Sequence, residues 1–186
     1  MIPEEARQKM NPFALLVDID RRSRAKALGI PQQVEVRRTW SGIGFRLGDV
    51  HLLSAMGEVR EILEYPSLTR VPGAQEWVRG IANVRGNLLT IVDMNGFFFG
   101  KPTTIRNRTR VLELRHGGLA AGLVVDEVFG MRHFFDEDKT DDKPLTEEAL
   151  MALMNGGYRQ GDRIWGELNM YKLAEDPRFL HVAAQH

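Results

Sequence analysis

The chain has 186 residues, 43% of them hydrophobic and 27% charged, with 25 Lys and Arg balanced by 25 Asp and Glu. That length and apolar content are enough for one globular unit or two small subdomains and exclude disorder throughout, and the neutral balance argues against nucleic acid or anionic lipid as a partner. Cysteine is absent, which removes disulfides, thiolate ligands and cysteine nucleophiles and suits a reducing cytoplasm.

The start, Met1-Ile2-Pro3-Glu4-Glu5, is acidic where a secretory signal is basic and then apolar, so none is expected. Asn11-Pro12 reads as an N-cap followed by Pro at the first helical position, and Gly29 as the end of that helix. Within it Phe13, Leu16, Val17, Ala27 and Leu28 can form an apolar stripe, and Arg21, Arg22, Arg24 and Lys26 a basic face. Such a helix either packs on its own protein or docks on a partner.

From Arg37 onward, short runs rich in Val, Ile, Leu and Phe alternate with glycines, the pattern of strands and tight turns. Nine strands are predicted: Trp40 to Leu47, Val50 to Ala55, Val59 to Glu64, Ile81 to Val84, Leu88 to Asp93, Thr109 to Arg115, Leu119 to Asp126, Val128 to Phe134 and Arg163 to Leu168. Gly48-Asp49, Gly86-Asn87, Gly117-Gly118 and Gly161-Asp162 supply turns. Short helices are expected near Ala74 to Val78 and from Leu145 to Met154, the second capped by Thr146. The stretch Asp136 to Glu148, with seven acidic residues against two lysines, reads as a solvated connector. Strands at this spacing indicate a mainly β sandwich or barrel architecture. The longest uncharged apolar stretch, Gly117 to Val125, falls well short of the roughly 18 residues of a membrane span, so no direct membrane insertion is expected.

The most informative string is Ile81-Ala82-Asn83-Val84-Arg85-Gly86-Asn87-Leu88-Leu89-Thr90-Ile91-Val92-Asp93. It reads as a hairpin whose return strand is apolar on both faces, with Arg85 at the tip, where a planar five-donor guanidinium can engage a carboxylate or carbonyls of another surface. These residues resemble the signature of the CheW family of chemotaxis coupling proteins, in which Asn, an apolar residue, Arg and Gly precede an apolar strand ending in Val-Asp or Ile-Asp. Val59-Arg60-Glu61-Ile62, then Pro72, Trp77 and Gly80, then Gly122 to Val128, and finally Leu168 to Leu173 resemble further family segments in the same order, with Asn169 where Asp is usual. The resemblance spans Arg37 to Ala174. The long N-terminal extension is similar to that of coupling proteins of twitching-motility systems, the PilI-like kind.

The resemblance implies two small five-stranded SH3-like β-barrel subdomains packed on a shared core (residues 37–175), preceded by a helical extension (1–36) and followed by a tail (176–186). It also implies a cytoplasmic adaptor, recruited to membrane-bound receptor arrays, that joins the signalling tip of a methyl-accepting chemoreceptor to the regulatory domain of a CheA-type histidine kinase. Val59, Glu61, Ile62, Asn83, Arg85 and Gly86 would form the receptor interface. The kinase-facing residues carry no short motif. No catalytic residue, cofactor or metal is expected: Gly42, Gly44 and Gly48 miss the dinucleotide spacing, the five histidines lack helical metal-binding pairs, and the acidic stretch has Asp141 where a calcium loop needs Gly. Asp93 and Asp126 read as turn formers at strand ends, and Phe97-Phe98-Phe99 as core. For Arg85 an internal salt bridge is the competing role. Two other functions stay open: a small β-barrel enzyme or ligand-binding domain with an unrecognised pocket, and a purely structural subunit of a motility machine.

Overall fold

A computed structural model of the chain describes residues 12–26 and 37–181. Two compact units are present, Met1–Arg37 and Arg38–His186. The described part of the first is helix α1 (Pro12–Lys26), on which Phe13, Leu16 and Val17 are exposed and Arg22 pairs with Asp18 at 2.6 Å. Asn11, Ala27, Leu28 and Gly29 lie outside the described residues.

The second unit is mainly β. In chain order it runs β1 (Thr39–Leu47), β2 (Val50–Ala55), β3 (Glu61–Glu64), β4 (Val78–Val84), β5 (Asn87–Asp93), α2 (Met94–Phe99), β6 (Arg110–His116), β7 (Leu119–Val125), β8 (Glu127–Phe135), β9 (Lys139–Thr140), α3 (Glu148–Ala152), β10 (Met154–Gln160), β11 (Arg163–Leu168), α4 (Met170–Glu175) and α5 (Pro177–Leu180). A six-stranded sheet has the order β8-β1-β2-β11-β10-β9, and a five-stranded sheet the order β3-β6-β7-β5-β4. Each holds one parallel pair, β2 with β11 and β5 with β7.

Both sheets bury both faces, because neighbouring apolar residues on a strand point to opposite sides. Leu112, Leu123 and Val92 enter a large core shared with Phe45, Leu47 and Leu52 of the first sheet, while their neighbours Val111, Val124 and Ile91 enter a second cluster with Ala82 and Leu89. Leu52 and Leu53 diverge in the same way, Leu53 joining Phe134, Tyr158 and Trp165 in a third cluster. Each sheet therefore curls around a small core of its own and shares the largest one with the other.

Several expectations need correction. Eleven strands are found among the described residues rather than nine, so the first sheet has six strands, not five. β10 was hidden by its sequence, Met154-Asn-Gly-Gly-Tyr, which lacks β-branched residues; its glycines are needed because a Cβ on Gly156 would lie 2.7 Å from the Thr140 carbonyl oxygen. The helix expected over Leu145 to Met154 shrinks to α3, and Thr146 does not cap it, Glu147 being the N-cap. No helix forms over Ala74 to Val78, where the Trp77 carbonyl accepts from the Asp93 N–H (2.8 Å) and so serves the sheet. In its place Trp77 packs edge-on against Phe97 (5.1 Å) and stacks on Phe179 (6.2 Å). Phe179 is 2% exposed, so residues 176–181 fold onto the body rather than beginning a tail. The aromatic triple forms the second half of α2, which Asp93 caps by accepting from the Gly96 N–H, and it fills core, with Phe98 buried and Phe97 and Phe99 packed against it.

Gly80 closes the second sheet. It sits at a bulge with φ +141°, beside the antiparallel bridge between Thr69 and Ile81, and a Cβ there would strike the Thr69 carbonyl oxygen. Gly80→Ala is expected to lower stability by about 2 kcal/mol or more, read as a lower urea midpoint at unchanged slope.

His51 stacks on Phe129 (5.4 Å) and meets Trp165 edge-on (5.0 Å), with the Arg132 guanidinium over both of those rings. Burial first, then the charges of Arg163 and Arg46, hold its pKa below the ordinary 6.5, outweighing the opposing contributions of the Asp49 backbone and Glu127. The unfolded chain then binds more protons below that value, so the contribution to stability is complete above about pH 6.5 and is lost as pH falls toward the depressed folded value. The expected outcome for His51→Phe, which keeps the stacking and removes the titration, is a smaller drop in urea midpoint between about pH 7.5 and about pH 5.5 than in the wild type.

Candidate functional site

The β4–β5 hairpin turns through two residues, Arg85 and Gly86, because Val84 pairs directly with Asn87. The turn thus lies one residue earlier than the Gly86-Asn87 expected from sequence. Both turn residues have positive φ, +50° for Arg85 and +84° for Gly86, the geometry that matches the twist of the flanking strands. Arg85 is the sole non-glycine residue with positive φ among the described residues. Asn83 holds the turn, its Oδ1 accepting from the Gly86 N–H at 2.9 Å. The return strand is buried at Leu89, Ile91 and Val92, but Leu88 beside the tip is 68% exposed.

The Arg85 side chain is 76% exposed, yet it is not unpartnered: Nη2 lies 2.7 Å from Glu61 Oε1 and Nη1 donates to Oε2 at 3.1 Å. This forked contact joins the hairpin tip to β3 at the far edge of the same sheet. β3 in turn sets Glu61 directly opposite Glu113 of β6, a like-charge cross-strand pair that is destabilising by itself. Glu113 is nearly fully buried; Arg115 Nε donates to its Oε1 at 2.6 Å, and Arg60 Nε lies 3.8 Å from the same oxygen. Three arginines thus neutralise two facing glutamates at one end of the sheet, leaving a net positive, partly exposed cluster.

The six residues singled out from sequence do not all share this surface. Asn83, Arg85 and Gly86 form the turn, and Glu61 joins them through its ion pair. Val59 is half-buried and packs against the shared core, so it supports the surface from below. Ile62 points to the opposite side of β3 from Glu61, 38% exposed, into a shallow cleft with Arg108, Arg110 and Val128. Glu113, Arg60, Arg115 and the exposed Leu88 were missed. The first three become visible once Glu61 to Glu64 is paired with Arg110 to Glu113, a register that the two strand sequences do not specify alone.

The CheW-like domain family matches residues 41–178 of the chain. The chain is 44% identical over 172 residues to Protein PilI of Pseudomonas aeruginosa, covering 92% of this chain and 96% of that protein. It is 28% identical over 149 residues to Chemotaxis protein CheW of Helicobacter pylori, covering 80% and 89% of the two chains. Among solved structures, the scaffolding protein TtCheW from Thermoanaerobacter tengcongensis superposes with a TM-score of 0.64 at 21% identity, over 76% of this chain and 91% of that one. With its strand signature, paired sheets and shared core, the chain belongs to the CheW-like family.

Proposed function

We propose that the protein is a non-enzymatic adaptor that couples a methyl-accepting chemoreceptor to a CheA-type histidine kinase at membrane-bound receptor arrays, in a system controlling type IV pilus twitching motility. Family membership and similarity to PilI along nearly the whole of both chains support this reading. The pilus output follows from the PilI-like extension. Receptor contact is assigned to the end of the second sheet that carries Glu61, Asn83, Arg85 and Gly86, with Val59 beneath it and Ile62 at its margin.

The observation that carries the site is the forked Arg85–Glu61 contact at a rigid two-residue turn. Exposed ion pairs contribute only about 0–1 kcal/mol, so Glu61 fixes the guanidinium's direction without holding it back from a stronger acceptor. A pre-oriented Arg loses less side-chain entropy when a partner carboxylate or carbonyl arrives. Leu88 adds apolar contact area next to it, as expected where an Arg anchor is flanked by a surface that excludes water. An adaptor of this type acts through coupling free energy: contacts that differ between two receptor states bias the kinase equilibrium.

Co-sedimentation with a receptor signalling domain and the kinase, together with kinase autophosphorylation, tests the assignment. Arg85→Glu is expected to weaken assembly about tenfold or more while leaving the melting temperature within a few degrees. The exchanged pair Glu61→Arg with Arg85→Glu restores the internal contact but not the outward one, so assembly is expected to stay weak. Recovery in the exchanged pair would mean that Arg85 acts only within its own fold. Assembly without any change in autophosphorylation would favour a purely structural subunit.

A further inference from the structure

A second site lies at the opposite end of the five-stranded sheet, where β5 and β7 end rather than where the Arg85 hairpin begins. A cleft of about 1180 Å³ opens there between the β1–β2 turn at Gly48-Asp49, the loop Lys101–Arg108 that follows α2, and Leu145 with Glu147 ahead of α3. Its floor is built from buried polar side chains. Asp93, fully buried, accepts from the Thr103 N–H (2.8 Å) and from the Thr103 hydroxyl (2.6 Å). Because that hydroxyl gives its proton to Asp93, its oxygen accepts from Asn95 Nδ2 at 2.8 Å. The same Nδ2 donates to Asp126 Oδ2 at 2.8 Å, an oxygen that also accepts from the Gly48 N–H at 2.7 Å.

The Asn95 amide therefore has one permitted orientation, since a carboxylate can only accept. Both its donors are engaged, and Oδ1 is left as a buried acceptor with no donor among the described residues, beside Gly48, which offers no side chain. Asn95 is only 7% exposed, and an unsatisfied buried acceptor costs about 1–3 kcal/mol, so a group that supplies an N–H there is favoured. Around this floor stand cations with capacity to spare. Lys101 and Arg106 are exposed and have no ion-pair partner among the described residues, and Arg108, 77% exposed, has a single 3.5 Å contact there, to Glu127. Of the acids in the cleft, Asp126 is engaged at the floor, while Asp49 and Glu147 stand exposed at the lip. Leu145, 95% exposed, and Phe99 supply an apolar wall.

We propose that this cleft binds an acidic peptide segment of a partner protein. Its carboxylates would meet Lys101, Arg106 and Arg108, a backbone N–H would reach Asn95 Oδ1, and an apolar side chain would lie against Leu145 and Phe99. A bare carboxylate satisfies the cations but gives Asn95 nothing. The volume also exceeds the roughly 300–1,000 Å³ typical of small-molecule pockets. The site does not depend on the receptor assignment: it shares no residue with the Arg85–Glu61 turn and meets the margin of that surface only at Arg108 and Asn107, which also line the cleft of Ile62.

The test is NMR titration of the full 15N-labelled chain with an acetylated, amidated hexapeptide of Asp and Glu containing one Leu. Saturable shifts are expected at the Gly48 and Thr103 backbone amides and the Asn95 side-chain amide. Affinity should fall about tenfold or more in Lys101→Glu with Arg106→Glu, whose folding is checked by an unchanged spectrum elsewhere, and should weaken at high salt. The proposal is overturned if the Asn/Gln version of the peptide binds equally well, if the double variant binds like the wild type, or if the shifts map elsewhere. It is likewise overturned if sodium phosphate or free glutamate reproduces the shifts, which would make the site a small-anion one. Concentration-dependent self-association that the double variant abolishes and the peptide cannot displace would overturn it in favour of a second copy of the chain.

Discussion

Four central strands, β2, β5, β6 and β7, send adjacent side chains into different cores. Val111 and Leu112, Ile91 and Val92, Leu123 and Val124 and Leu52 and Leu53 each divide between the shared cluster and one of the smaller ones. A one-residue slip of any of these strands would exchange the two sets and place each apolar surface in a space shaped for the other. The register of both sheets is therefore fixed by packing, and the positions of the functional groups follow from it. Gly122 shows how tight the fit is, since a Cβ there would lie 2.5 Å from Ile91 Cδ1 and 2.7 Å from Val111 Cγ1. The direction of the Arg85 turn and the placement of Glu61 opposite Glu113 are consequences of that register.

The two ends of the five-stranded sheet solve different electrostatic problems. At the hairpin end, facing glutamates are neutralised by arginines from three different segments, of which Arg85 and Arg60 remain mostly exposed. At the other end, the buried Asp93 and the half-buried Asp126 are satisfied by hydrogen bonds from Thr103, Asn95 and backbone N–H groups, with Arg79 3.7 Å from Asp93, and the cations of the cleft's rim stand apart from them. The first arrangement gives a guanidinium with a fixed direction. The second gives a polar floor with spare accepting capacity beneath a basic rim.

Much of this was legible in the sequence wherever burial alone decides structure. Val50 to Ala55 and Arg163 to Leu168 were read with the bounds that the strands have, and three glycine-led turns fall where expected, because apolar runs between glycines leave little choice. Elements that depend on distant partners were not legible. β10 is a strand because its glycines allow close approach of neighbouring carbonyls, and α2 is a helix because Asp93, tied to Thr103, caps three phenylalanines that alone read only as core. The hairpin turn was misplaced by one residue because Arg seldom takes positive φ, whereas the Val84–Asn87 pairing requires it of Arg85. At the candidate site Arg85, Asn83 and Glu61 could be picked out by motif, but Glu113, Arg60 and Arg115 depend on cross-strand register.

The five-stranded sheet is drawn from one continuous stretch, Glu61 to Val125, inserted between the strands that make the other sheet. β2 gains its parallel neighbour only from β11, more than a hundred residues downstream. On the ribosome, then, the inserted sheet can pair completely while the N-terminal β1–β2 hairpin still waits with both outer edges unmatched. Synthesis order thus makes the first-made strands among the last to be enclosed, and it leaves them open to wrong pairing until Leu168 has emerged.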